Sequence, residues 1–212
     1  MLKTKLLTGG LLLSTIIVVF LFNPTLEGAG NAVENRDFIS TDNYANSRLE
    51  YYFYIPQAVI ENKSRAYSLL VMVAGLSGRG EQFVTHEFKE FAEREGFIIL
   101  APSFMYDERN WSAERSYQFP EAWSGNALLE IIDKLKAKNN LKISKCYLFG
   151  FSAGAQFALR FCLWKPDLCA ACAAHAGGAT IRPDRKSHVK FFVTAGTQDA
   201  DRLKKARGFY NA

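Results

Sequence analysis

The chain of 212 residues is 49% apolar and 22% charged, which excludes collagen-like, low-complexity and wholly disordered polymers and gives room for one packed domain. Its net charge of +5 comes from 26 Lys and Arg interleaved with 21 Asp and Glu, so no nucleic-acid groove is expected. Four cysteines are too few for a disulfide scaffold, and a packed core must supply the stability.

Lys3 and Lys5 precede the charge-free run Leu6 to Phe22, which is followed by Asn23-Pro24 and the small residues Ala29, Gly30 and Ala32. A basic start, an apolar middle and a small-residue close are the pattern of a signal peptide. The 17 residues of the run fall between a cleaved segment and a spanning helix, so cleavage near Ala29 or Ala32 and retention as an anchor both stay open. Residues 1–32 are thus expected to be a signal or anchor, 33–47 a polar linker and 48–212 the folded domain. That domain is expected to be exported, periplasmic or extracellular, touching a membrane only through residues 6–22 if they are not cleaved.

Arg48 to Pro56 is aromatic-rich and reads as the first strand, and the branched apolar run Ser68 to Ala74 as a second, buried on both faces. Phe88, Phe91 and Ala92 share a helical face that ends at Gly96, and Phe97 to Ala101 is a strand closed by Pro102. Leu128, Ile131, Ile132 and Leu135 fall at i, i+3, i+4 and i+7, one buried helical stripe. Strands are expected at Lys145 to Gly150, Leu168 to Ala174 and Lys190 to Ala195, helices at Ala153 to Leu163 and from Arg202. Apolar strands alternating with helices predict a mostly parallel sheet covered on both faces, with the chemistry beyond the carboxyl ends of the strands.

Gly150-Phe151-Ser152-Ala153-Gly154 lies between such a strand and such a helix, the context that makes G-x-S-x-G a nucleophile elbow. The turn leaves no room for a side chain at either glycine, and it lifts Ser152 to the helix N-terminus, where the Ala153 N–H can meet an oxyanion.

On these residues the chain resembles the α/β-hydrolase family, most closely its small exported esterases of the polyhydroxybutyrate-depolymerase or feruloyl-esterase-like group, over about residues 48–210. The resemblance implies a three-layer sandwich and ester hydrolysis through an acyl-enzyme on Ser152. It also implies an oxyanion hole from the Leu76 and Ala153 N–H groups, although Ala74 stands where many relatives have His. Asp199, in the turn after the strand at 191–195, matches the family's acid, with Asp201 in reserve and a helix N-cap as the plainer role. Peptidase chemistry on the same elbow, or a non-catalytic carbohydrate- or lipid-binding remnant, are the alternatives.

In this family the base is a histidine after the acid, but thirteen residues follow Asp199 and none is His. The chain is therefore expected to lack the last strand of the fold and to be impaired, an absent triad histidine costing about 10⁶ in turnover. His86 and His188 read as surface residues, whereas His175 ends the strand beside the elbow and is expected to line the site, with replacement of the missing base as its lesser alternative. The aperiodic stretch Ser103 to Pro120 carries Phe104, Tyr106, Trp111, Tyr117 and Phe119, which either bind a substrate or seal the sheet. Trp111, Tyr117 and His175 are the candidate substrate contacts, and the substrate is a small-molecule or polymer ester. No metal or cofactor is expected: Cys162, Cys169, Cys172 and His175 lack zinc spacing, and strand alternation would turn Cys169 and Cys172 to opposite faces. Buried thiols and one disulfide both fit these cysteines.

Overall fold

The computed structural model describes residues 32–41, 48–76, 78–105, 112, 115–179, 181–183 and 187–211. Their elements in chain order are β1 (Val33–Ser40), β2 (Arg48–Ile55), α1 (Gln57–Glu61), β3 (Ala66–Val73), α2 (His86–Glu95) and β4 (Phe97–Pro102). They continue with α3 (Ser124–Asn139), β5 (Lys142–Phe151), α4 (Ala153–Trp164), β6 (Cys169–His175), β7 (Lys190–Thr194) and α5 (Ala200–Tyr210). The described strands form one sheet of seven in the order β1-β2-β4-β3-β5-β6-β7. β1 and β2 run antiparallel to their neighbours, while β4, β3, β5, β6 and β7 pair parallel. The expected architecture, a mostly parallel sheet between helical layers, is the one observed.

Strand alternation divides the core in two. Leu69, Val71, Val73, Cys146 and Leu148 face α3, α4 and α5 together with Leu128, Phe157 and Phe209. Leu70, Met72 and Ile99 face α2, joined by Phe88, Phe91, Tyr147 and Phe149. β3 from Leu69 to Val73 and β4 from Phe97 to Ala101 are apolar because both of their faces are covered. Gly96 ends α2 in the left-handed conformation, φ 71°, and returns its N–H to Ala92 O, as the sequence predicts.

The expected linker at 33–47 is corrected in its first part: residues 33–40 are β1, an edge strand paired along its whole length with β2. It looks like linker because most of its side chains face solvent and only Ile39 is buried, so no apolar alternation marks it. Residues 42–47 and the apolar run 6–22 lie outside the described residues, and no described helix is long and apolar enough to cross a membrane.

The cysteines correct a second expectation. The ladder between β5 and β6 shifts register after the Cys146–Cys169 pair, and this irregularity brings Cys169 and Cys172 into the same core as Cys146 and Cys162. All four are buried free thiols.

Candidate active site

β5 delivers the chain to the sheet's carboxyl edge, and within one residue the backbone turns into α4. Ser152 makes that turn with φ 56° and ψ −112°, a conformation that costs a non-glycine residue about 1–3 kcal/mol. Its neighbours make the turn possible. A Cβ on Gly150 would stand 2.3 Å from Gly154 O, and one on Gly154 would stand 2.1 Å from Val73 O. Only hydrogen fits at either position. The Ser152 N–H donates to His175 O at 2.9 Å, pinning the turn to β6, and the Gln156 N–H donates to Ser152 O at 3.3 Å as α4 begins. Ser152 thus sits at the positive end of a twelve-residue helix.

The end of β3 borders this turn. A Cβ on Gly75 would lie 3.4 Å from Ser152 Cβ, so the Gly75–Leu76 segment runs beside the serine. The Gly78 N–H bonds Gly75 O at 3.2 Å, folding the segment into a tight turn. The Leu76 side chain is 43% exposed. Beneath the segment, the Tyr117 hydroxyl donates to Ala74 O at 3.1 Å.

Tyr117 was expected to touch substrate; the structure corrects this, since it is 1% exposed and stacks on Phe104 with ring centroids 5.2 Å apart. Phe104 also packs against Trp123 and Phe157. For these residues the aromatic loop seals the sheet, because rings over a strand end gain more by joining the core than by facing water. Trp111 lies outside the described residues.

His175 borders the elbow but belongs to the other side of the sheet. It pairs in register with Phe151, so the two side chains share the α2 face, and their rings stack with centroids 5.8 Å apart. Its Nδ1 is hydrogen-bonded to Thr194 Oγ1 at 2.9 Å. His86 forms an exposed pair with Glu90 on α2, and His188 is exposed.

The group that reaches the serine is a cation. Arg202, in the first turn of α5, donates from Nη1 to Ser152 Oγ at 3.2 Å and to Ala176 O. Asp199 caps the same helix, its Oδ1 accepting from the Arg202 N–H at 3.1 Å. Its Oδ2 pairs with Arg202 Nε at 3.3 Å. The plainer role foreseen for Asp199, the helix N-cap, is therefore occupied, and its carboxylate also balances the guanidinium. Sequence reasoning passed over Arg202, yet one signal was present: a cation in the first turn stands at the unfavourable end of the helix dipole.

Residues 49–189 match the model of the family described as Esterase PHB depolymerase. The acetylxylan esterase A of Emericella nidulans is 25% identical over 130 residues, 60% of this chain and 41% of that protein. A probable acetylxylan esterase A of Aspergillus flavus is 25% identical over 152 residues, 70% of this chain and 47% of that protein. The chain thus spans less than half the length of these curated relatives. Among solved structures, a ferulic acid esterase of Anaeromyces mucronatus superposes with a TM-score of 0.65 at 15% identity, covering 89% of this chain and 80% of that one. A poly(3-hydroxybutyrate) depolymerase from Bordetella parapertussis superposes with a TM-score of 0.58 at 19% identity, covering 87% and 77%. These likenesses establish the α/β-hydrolase fold.

Proposed function

Because the chain belongs to the Esterase PHB depolymerase family, we propose that it is a carboxylic-ester hydrolase in which Ser152 attacks the ester carbonyl and carries the acyl group. The observation that carries the reading is the Ser152 backbone, held at φ 56° at the start of α4 between two glycines that admit no side chain. In this reading the Ala153 and Leu76 N–H groups hold the carbonyl oxygen as it becomes negative, and the α4 dipole adds to their effect. The element order points to Asp199 as the acid, but the described residues place no histidine on Ser152, and the Asp199 carboxylate is engaged by Arg202 instead. The relatives' names direct the choice of substrates toward acetyl esters of xylan and esters of ferulic acid. Export through residues 1–32 belongs to the same proposal, supported by the charge-free run 6–22 behind two lysines.

A second reading, a non-catalytic ligand-binding protein, is favoured by one observation: among the described residues the partner of Ser152 Oγ is a guanidinium, which cannot take a proton. Fluorophosphonate labelling with turnover of p-nitrophenyl acetate and methyl ferulate separates the two. The esterase reading expects label on Ser152 and turnover that Ser152→Ala abolishes. An unlabelled serine, with equal turnover in wild type and Ser152→Ala, overturns it.

A further inference from the structure

We propose that Arg202 is a catalytic residue of this site, its guanidinium favouring the alkoxide form of Ser152; the inference rests on the reading of Ser152 as nucleophile. The Arg202 Nη1 to Ser152 Oγ distance of 3.2 Å is a direct contact with the reacting atom. The guanidinium is held there from three sides. Asp199 Oδ2 fixes Nε at 3.3 Å, and the Asp199 cap fixes the backbone of the first turn. Ala176 O accepts from the same Nη1, and Ala176 is itself tied to β7, its N–H bonded to Thr194 O at 2.7 Å. Farther along the helix, Ala206 and Phe209 anchor α5 in the core.

A group so placed has a definite chemical consequence. It cannot serve as the base, since a guanidinium has no lone pair to offer a proton. It donates to Oγ whether the oxygen is neutral or charged, but the bond is far stronger to the alkoxide. The positive end of α4 acts on the same atom in the same sense. In the step that follows, hydroxide takes the Oγ proton and becomes water. The electron pair left on Oγ forms the bond to the acyl carbon, and the carbonyl π pair moves onto the oxygen that faces the backbone N–H groups. Asp199 opposes this effect, because its carboxylate on the far side of the guanidinium offsets part of the positive charge.

The test is the second-order rate of fluorophosphonate labelling of the full chain across about pH 6 to 10, a span over which the hydroxide that takes the Oγ proton becomes steadily more abundant. Arg202→Gln is expected to label about tenfold or more slowly, the worth of a charge-assisted hydrogen bond, with its rise displaced to higher pH. Asp199→Asn preserves the helix cap, because Asn caps as well as Asp. It is expected to displace the rise to lower pH, an effect that a merely structural Arg202 would not produce. An Asp199→Asn variant that labels more slowly than wild type, as an acid working through a histidine requires, overturns the inference. So does an Arg202→Gln variant with the wild-type rate and profile. If wild-type Ser152 takes no label, the esterase reading falls and this inference falls with it; label on Ser152 unaffected by both variants sinks the inference alone.

Discussion

Two missing methyl groups decide whether the elbow can close. Gly154 lets α4 start against the last carbonyl of β3, where a Cβ would sit 2.1 Å from Val73 O, and backbone on both sides leaves nothing flexible to yield. Gly154→Ala is therefore expected to destabilise the fold by about 3 kcal/mol, the upper range for overpacking, and to displace Ser152. Gly196 has open space around the same atom, so Gly196→Ala should fall within about 0.5 kcal/mol of wild type. Urea midpoints of the two variants check the contrast, and equal midpoints would refute the steric account. Tyr117 acts at the same scale. Its hydroxyl serves the Ala74 carbonyl from a buried position, and Tyr117→Phe is expected to cost about 1 kcal/mol. The elbow glycines were legible in the sequence because steric exclusion is a local property of five consecutive residues. Arg202 was not, since a contact spanning fifty residues leaves no local mark beyond a cation on the wrong end of a helix.

At the scale of elements, what could be read from the chain follows from burial. β3, β4 and the helix α3 announced themselves because each is apolar in the period of its own geometry. β1 shows no such period, and one charge contributes to its attachment. Asp37 on β1 accepts from Lys134 and Lys138 of α3, each at 3.0 Å, and α3 is thereby tied to the sheet's outermost strand. Burial pushes the Asp37 carboxyl up, but hydrogen bonds from Lys138, the Phe38 N–H and Lys134 outweigh it and hold the group well below the usual carboxylate range. A carboxylate depressed in the folded state contributes stability that is complete above its unfolded value, about pH 4, and drains away as pH falls toward the folded one. Thermal unfolding of wild type and Asp37→Asn between about pH 7 and pH 2 is thus expected to show a gap that narrows below about pH 4. A gap that stays constant across the range would show that Asp37 does not titrate with folding.

The whole molecule adds what no single element contains, the meeting of α4 with β5 and β6 around four thiols. Cys146, Cys162, Cys169 and Cys172 are at most 5% exposed, and all are free. Burial, aided by the neighbouring Cys169, pushes the Cys146 thiol up to about 12. Burial, followed by hydrogen bonds with Cys169 and Cys172, raises the Cys162 thiol in the same direction. The sequence leaves both thiols and a disulfide open, because pairing depends on the register shift that brings Cys169 and Cys172 to one face. Since thiolate is the reactive form, two conditions must be met before any of these groups reacts: water must enter the core, and the proton must leave. Both require α4 to part from the sheet, and α4 also carries the elbow and much of the core on its face. Alkylation by iodoacetamide without reductant should therefore add nothing to the native protein at about pH 8, where an ordinary cysteine is substantially thiolate, and four groups in guanidinium. In dilute denaturant the four should react together at the rate of global opening. Modification of one thiol ahead of the rest would mean that α4 lifts locally from β6, and two groups instead of four in guanidinium would mean that a disulfide had formed.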